Sequence, residues 1–156
     1  MRVRIVVADQ AEARFYDTEP PDPALHPAGR LSEARARLHD RDLVSDRPGR
    51  VFDHAPAASG RRGAVAHHGT GGEGERRPHR HVATLFARRI AQELALAQRE
   101  GSIDRIVLMA EPKFLGMIRQ ALSPELEASV AAEVPKDLVH QAEDVVRAHL
   151  PPLALR

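Results

Sequence analysis

The sequence predicts an α/β domain, a mixed β-sheet with helices packed on it, in the order β-β-β-α-β-α-β-α. Three observations carry this. Residues 3–8 and 103–109 are short runs rich in Val, Ile and Leu, as strands covered on both faces require. Residues 12–17 alternate behind a polar turn at Asp9-Gln10-Ala11, which reads as a hairpin partner. In the second half, apolar residues recur at helical spacing between short strand-like runs. A hairpin followed by alternating strands and helices gives a mixed sheet.

The elements follow in order. Residues 19–30 hold Pro20, Pro21, Pro23, Pro27 and Gly29 and are expected to form an irregular loop. Residues 31–39 suit a short helix or an extended segment, and Arg50-Val51-Phe52-Asp53 a third short strand. A long loop rich in Gly, Arg and His follows at about 54–78. A loop of that length within a compact domain is functional or disordered. Pro78 suits a first helical position, and Val82, Leu85, Phe86, Ile90, Leu94 and Ala97 then line one face until Gly101. Pro112 opens a second helix with Phe114, Leu115, Ile118 and Leu122 inward. Ser123-Pro124 restarts a short one as cap and first residue, and 130–134 reads as a strand. Leu138, Ala142, Val145, Val146 and Leu150 predict a last helix, stopped by Pro151-Pro152.

The length of 156 residues fits one domain spanning 1–156. The absence of Cys excludes disulfides, Cys-based zinc sites, a thiol nucleophile and iron–sulfur clusters. No apolar run is long enough to cross a membrane, and the opening stretch ends at Asp9, too soon for a signal peptide. The expectation is a soluble, cytoplasmic protein without membrane insertion. One Tyr, four Phe and no Trp leave little for stacking on unpaired bases.

Net charge is +1, but charge is segregated along the chain. Residues 61–90 carry seven Arg and two Glu, whereas 120–146 carry six acids and one Lys. Arginine supplies all the basic residues except Lys113 and Lys136. A basic segment suits RNA or another phosphate-bearing partner, and equally a solvated loop.

Gly69-Thr70-Gly71-Gly72-Glu73-Gly74 has the Gly-x-Gly-x-x-Gly spacing. A dinucleotide fingerprint must leave a strand and open a helix directly. Here His67-His68 precede it, Arg76-Arg77-Pro78 are expected to separate it from the helix, and Glu73 and Glu75 would repel phosphate. His67, His68, His79 and His81 are the weak metal candidates, lacking any His-Glu-x-x-His pattern. Asp9, Asp17, Asp42, Asp46, Asp53 and Asp104 could supply a two-carboxylate site, but Asp9 stands where a turn favours Asp. No Gly-x-Ser-x-Gly marks a serine nucleophile. Residues 40–53 crowd Asp and Arg around Pro48-Gly49, where Arg47 and Arg50 suit either Asp pairing or an anionic ligand.

That segment resembles the bacterial host attachment protein family, whose members are described as required for attachment to host cells. The likeness rests on four blocks in order: Val6-Val7-Ala8-Asp9 with Ala13-Arg14; Asp42-Leu43-Val44-Ser45-Asp46-Arg47-Pro48-Gly49-Arg50 with Phe52-Asp53; Phe86-Ala87-Arg88; and Pro112-Lys113-Phe114-Leu115-Gly116 with Lys136-Asp137-Leu138. The element order is also distantly similar to the middle domain of archaeal and eukaryotic release factors. There a Gly-Gly-Gln loop precedes the first long helix. Gly71-Gly72-Glu73 takes that place here, with Glu73 where the Gln would be.

This resemblance implies a non-enzymatic, cofactor-free module that contacts RNA or the ribosome. Arg47, Arg50, Gly71, Gly72, Arg76, Arg77 and Arg80 are the candidate contacts. The alternatives are a metal-dependent hydrolase using the loop histidines, and a homodimeric interaction module pairing the +5 and −5 segments.

Overall fold

The computed structural model describes residues 1–38 and 73–156. Five strands form one mixed sheet: β1 (Val3–Ala8), β2 (Glu12–Thr18), β3 (His26–Ser32), β4 (Arg105–Met109) and β5 (Val130–Val134), in the spatial order β3-β2-β1-β4-β5. β1-β2 and β2-β3 are antiparallel, whereas β1-β4 and β4-β5 are parallel. Helices are α1 (Glu73–Arg99), α2 (Pro112–Ala121), α3 (Pro124–Ala128) and α4 (Glu143–Ala148), with a 3-10 turn at Ala34–Arg37.

β1 is the central strand, and its side chains divide by the two-residue period. Val6 and Ala8, with Phe15 of β2, face α1 and α2, where Phe86, Ile90, Leu94, Phe114 and Ile118 meet them. Val3, Ile5 and Val7, with Tyr16, face the other way onto Leu138, Val139, Val146 and Ala154. The sheet is thus covered on both faces, which explains the continuous apolar stretches Ile5–Ala8 in β1 and Ile106–Met109 in β4.

Helix ends follow local chemistry. Pro112 and Pro124 sit in first turns, and the Ser123 hydroxyl accepts from the Leu126 N–H at 3.3 Å. At the end of α1, Gly101 takes φ +67°, with bonds from its N–H to Gln98 O and from Ser102 N–H to Ala97 O, both 3.0 Å. That is a Schellman stop, which only glycine enters without strain.

Three expectations change. Residues 19–30 are not irregular throughout, because the third strand of the sheet is His26–Ser32; Arg50–Asp53 lies outside the described residues. β3 is exposed except at Leu31, so it has no buried face to print an alternation, and pairing with β2 specifies it instead. Its register shifts between Phe15 and Tyr16, which leaves Ala28 as the extra residue.

The first long helix begins at Glu73, and Pro78 lies inside it. The ring removes one bond, that to the Gly74 carbonyl, close to an end where several N–H groups are unpaired in any case. Arg76-Arg77-Pro78 therefore do not separate the glycine motif from the helix, and the expected loop extends no further than Gly72. The last helix is shorter than its apolar spacing suggests. Leu138 and Val139 are buried from turns, and only Glu143–Ala148 is helical.

At about 1.5 Å per residue α1 is roughly 40 Å long, and at about 3.3 Å per residue β4 spans roughly 17 Å. The Gly101 end of α1 sits near the start of β1, since Asp104 N–H bonds Arg2 O at 2.9 Å. The first turns of α1 consequently extend past the carboxyl ends of the parallel strands.

Candidate functional site at the carboxyl ends of the parallel strands

In open sheets, binding sites collect outside the carboxyl ends of parallel strands. At that end of this sheet stand the β1–β2 turn, the close of β3, the 3-10 turn, the middle of α1 and the segments that follow β4 and β5. Asp9 makes the first turn. Its Oδ1 accepts from Ala11 N–H at 2.8 Å and Glu12 N–H at 2.7 Å, and its own N–H bonds Glu12 O at 2.9 Å. The turn chemistry expected of Asp9 is present. The other carboxylate oxygen lies 3.3 Å from His140 Nε2.

Two buried glutamates organise the arginines. Glu12 meets Arg14 Nε at 3.1 Å and Arg30 Nη2 at 2.5 Å. Burial pushes the Glu12 carboxyl up, but the Arg14 hydrogen bond and the Arg30 and Arg14 charges outweigh it and hold it below its ordinary range. Glu33 accepts from Arg35 Nε at 3.0 Å, Arg35 Nη2 at 3.1 Å and the Arg35 backbone N–H at 3.1 Å, with Arg89 Nη1 at 3.6 Å. The hydrogen bond from the Arg35 side chain, against the cost of burial, lowers its carboxyl as well. Arg89 also donates to Ser32 O at 3.0 Å, and its guanidinium lies over the Phe86 ring at 5.6 Å. These contacts bind β3, the 3-10 turn and α1 together.

Outward from there, Arg80, His81 and Arg88 are exposed on α1, and Arg30, Arg35 and Arg37 on β3 and the 3-10 turn. Among the described side chains of 26–38 and 78–92, the only carboxylate is the buried Glu33. Beside this basic side lies a shallow pocket of about 410 Å³ lined by Asp9, Gln10, Ala11, Ala36, Glu111 and Asp137. A second pocket, at the opposite end of the sheet, holds Arg2, Asp17, Glu19, Asp22 and His26. Its charges close on themselves: Arg2 pairs with Glu19 at 2.7 Å, and Asp17 pairs with Arg4.

Of the candidates read from the sequence, Arg47, Arg50, His67, His68, Gly71 and Gly72 lie outside the described residues, as do Asp42, Asp46 and Asp53. Arg76 and Arg77 fall within the first turns of α1. Arg80 and His81 are exposed, His79 is half-buried, and the Arg80 carbonyl accepts from Thr84 Oγ1 at 2.8 Å. Asp104 accepts from the Arg2 backbone N–H at 2.7 Å, so Asp9, Asp17 and Asp104 each serve a local contact. Among the described residues, no group of three or more His, Asp or Glu is placed to hold a metal ion. Glu12, Glu33, the contact of Arg89 with Glu33 and the Asp9–His140 contact escaped the sequence reading. A signal was present: Glu-Ala-Arg occurs twice, at 12–14 and 33–35, and both times the Glu is buried against the Arg two residues on.

These features define a class: a mixed α/β domain, layered on both sheet faces, with an arginine-rich side and a small acidic pocket at the carboxyl ends of its parallel strands. The model of one family, described as "protein required for attachment to host cells", matches residues 4–150, and the chain belongs to that family. No curated protein matches it. One solved structure, named only as an archaeal protein, is 12% identical with a TM-score of 0.44, over 94% of this chain and 35% of that one. The chain spans about a third of that protein's length, and a likeness at that level carries no argument. No helix among the described residues is long and apolar enough to cross a membrane.

Proposed function

We propose that this member of the host attachment family is a non-enzymatic module of the cytoplasm that contacts RNA, with the ribosome as the RNA-rich assembly to test first. One observation carries the reading. Arg30, Arg35 and Arg37 are exposed on β3 and the 3-10 turn, Arg89 joins α1 to them, and Arg80 and Arg88 are exposed further out on α1; the acids at that junction, Glu12 and Glu33, are buried. A surface of this kind attracts a polyanion by releasing its condensed counterions. Arginine suits the task because its planar fork meets phosphate oxygens two at a time. The distant similarity to release-factor middle domains points to the same partner. With Glu73 in place of the Gln, the proposed contact is binding and not hydrolysis of peptidyl-tRNA. On this reading any effect on attachment is indirect, through gene expression or translation.

The test is co-sedimentation with ribosomes on gradients at low and high salt. Wild-type protein is expected to travel with ribosomes at low salt and to leave them as salt rises. An Arg80→Ala/Arg88→Ala variant with unchanged circular dichroism is expected to dissociate at lower salt. Gly71→Ala/Gly72→Ala tests a close backbone approach at the motif before α1. Free protein at the top of the gradient at every salt overturns the proposal.

A further inference from the structure

We infer that the RNA partner is double-stranded, an A-form helix gripped by its phosphates and sugars, and not an unpaired strand read through its bases. This inference rests on the RNA-contacting reading above and specifies its ligand.

Proteins that hold single strands combine a basic groove with exposed aromatic rings, and each stacked base contributes about 1–3 kcal/mol. This chain has five aromatic residues. Phe15 and Tyr16 are 4% and 5% exposed, Phe86 and Phe114 are fully buried, and Phe52 lies outside the described residues. Phe86 and Phe114 stack on each other, with centroids 6.1 Å apart, inside the layer between sheet and helices. The described aromatics are thus committed to the core. Arginine planes can replace rings as stacking surfaces; Arg89 does not serve in that way, because it lies over Phe86 and is held by Ser32 O and Glu33.

The shape of the basic side agrees. Its groups stand on the exposed face of α1, at Arg80, His81 and Arg88, and on an edge strand. Arg80 and Arg88 are about 12 Å apart along the α1 axis, at about 1.5 Å per residue. His81 and Arg88 share a helix face, being seven residues apart, with the Thr84 hydroxyl between them. A row of this kind presents donors to phosphates and to sugar hydroxyls across a wide, shallow groove. A-form RNA offers such a groove on its minor side, lined by 2′-hydroxyls, and is recognised mainly by shape and backbone. The acidic pocket of Asp9, Glu111 and Asp137 borders this side and repels a backbone that strays toward it, which limits how a rigid duplex can lie.

Fluorescence anisotropy with three probes tests the inference: an RNA duplex of about 16 base pairs, an oligouridine of the same length, and a DNA duplex of the RNA sequence. The RNA duplex is expected to bind at least about tenfold tighter than oligouridine and several-fold tighter than the DNA duplex. Arg80→Ala/Arg88→Ala, with unchanged circular dichroism, is expected to lower the log–log salt slope by about 2, one for each lost phosphate contact. Oligouridine binding as tightly as the duplex overturns the inference and leaves the RNA reading standing. Equal affinity for RNA and DNA duplexes overturns the A-form assignment. Failure of all three probes, with free protein on the ribosome gradients, overturns both.

Discussion

The two faces of the sheet are covered by different means. On one, α1 and α2 lay long, regular surfaces over Val6, Ala8, Phe15, Ile106 and Leu108, and two phenylalanine rings stack at the contact. On the other, Val3, Ile5, Val7, Val107 and Met109 are covered by the stretch from Leu138 to Ala154, in which only six residues are α-helical. The strands supply both faces equally, because alternate side chains point each way. The cover differs. A long helix delivers a large side chain to the sheet every three or four residues, whereas the other cover delivers aliphatic ones such as Leu138, Val139 and Val146 at irregular intervals. Stabilisation should therefore be concentrated in a few large residues on the helical face and dispersed on the other.

The most direct way to break that comparison is to truncate one large residue on the helical face. Phe86→Ala removes a fully buried ring from its stack with Phe114 and is expected to cost about 3–5 kcal/mol in urea unfolding. On the opposite face, Val139→Ala removes two buried methyl groups and is expected to cost about 2 kcal/mol, at about 0.8 kcal/mol per carbon plus a small cavity. Equal losses would mean that the turn-built cover is as tightly packed as the helical one.

A smaller effect concerns the charged contacts that clip β3 and the 3-10 turn to the helical face. Glu33 and Glu12 have carboxyls lowered in the folded state, so their stabilisation is complete above the ordinary carboxylate range. It is lost as pH falls through the lowered folded values. Glu33→Gln keeps the shape and removes the charge. It is expected to cost about 1–1.5 kcal/mol at neutral pH and to flatten the acid limb of the stability profile. A profile of unchanged steepness would show that Glu33 titrates alike in both states.

What could be read in the sequence divides along the same line. β1, β2, β4, β5, α2 and α3 announce themselves because burial imposes a period and Pro112, Ser123 and Pro124 mark starts. β3 does not, since its side chains are exposed and its order comes from β2, a partner that sequence spacing does not name. Pro78 misleads because proline is a good first residue yet tolerable within the opening turns. Leu138 and Val139 mislead because buried turns can imitate helical spacing over a few residues. Of the candidate site, Asp9 was legible as turn chemistry, and Arg80 and His81 as part of a basic run. Glu12 and Glu33 were not, because only the hairpin and the 3-10 turn carry their carboxylates into the arginine cluster.

β3 also decides whether the sheet can grow beyond its β2 side. Among the described residues it pairs with β2 alone, and its outer edge carries Pro27, which has no N–H to donate, then the out-of-register Ala28 and the charged Arg30. A second chain laid along that edge would meet a missing donor, a break in spacing and cationic repulsion within a few residues. At this edge the strand therefore acts as a terminator of hydrogen-bonded growth, and it makes templating between copies along β3 a poor route to aggregation even at high protein concentration.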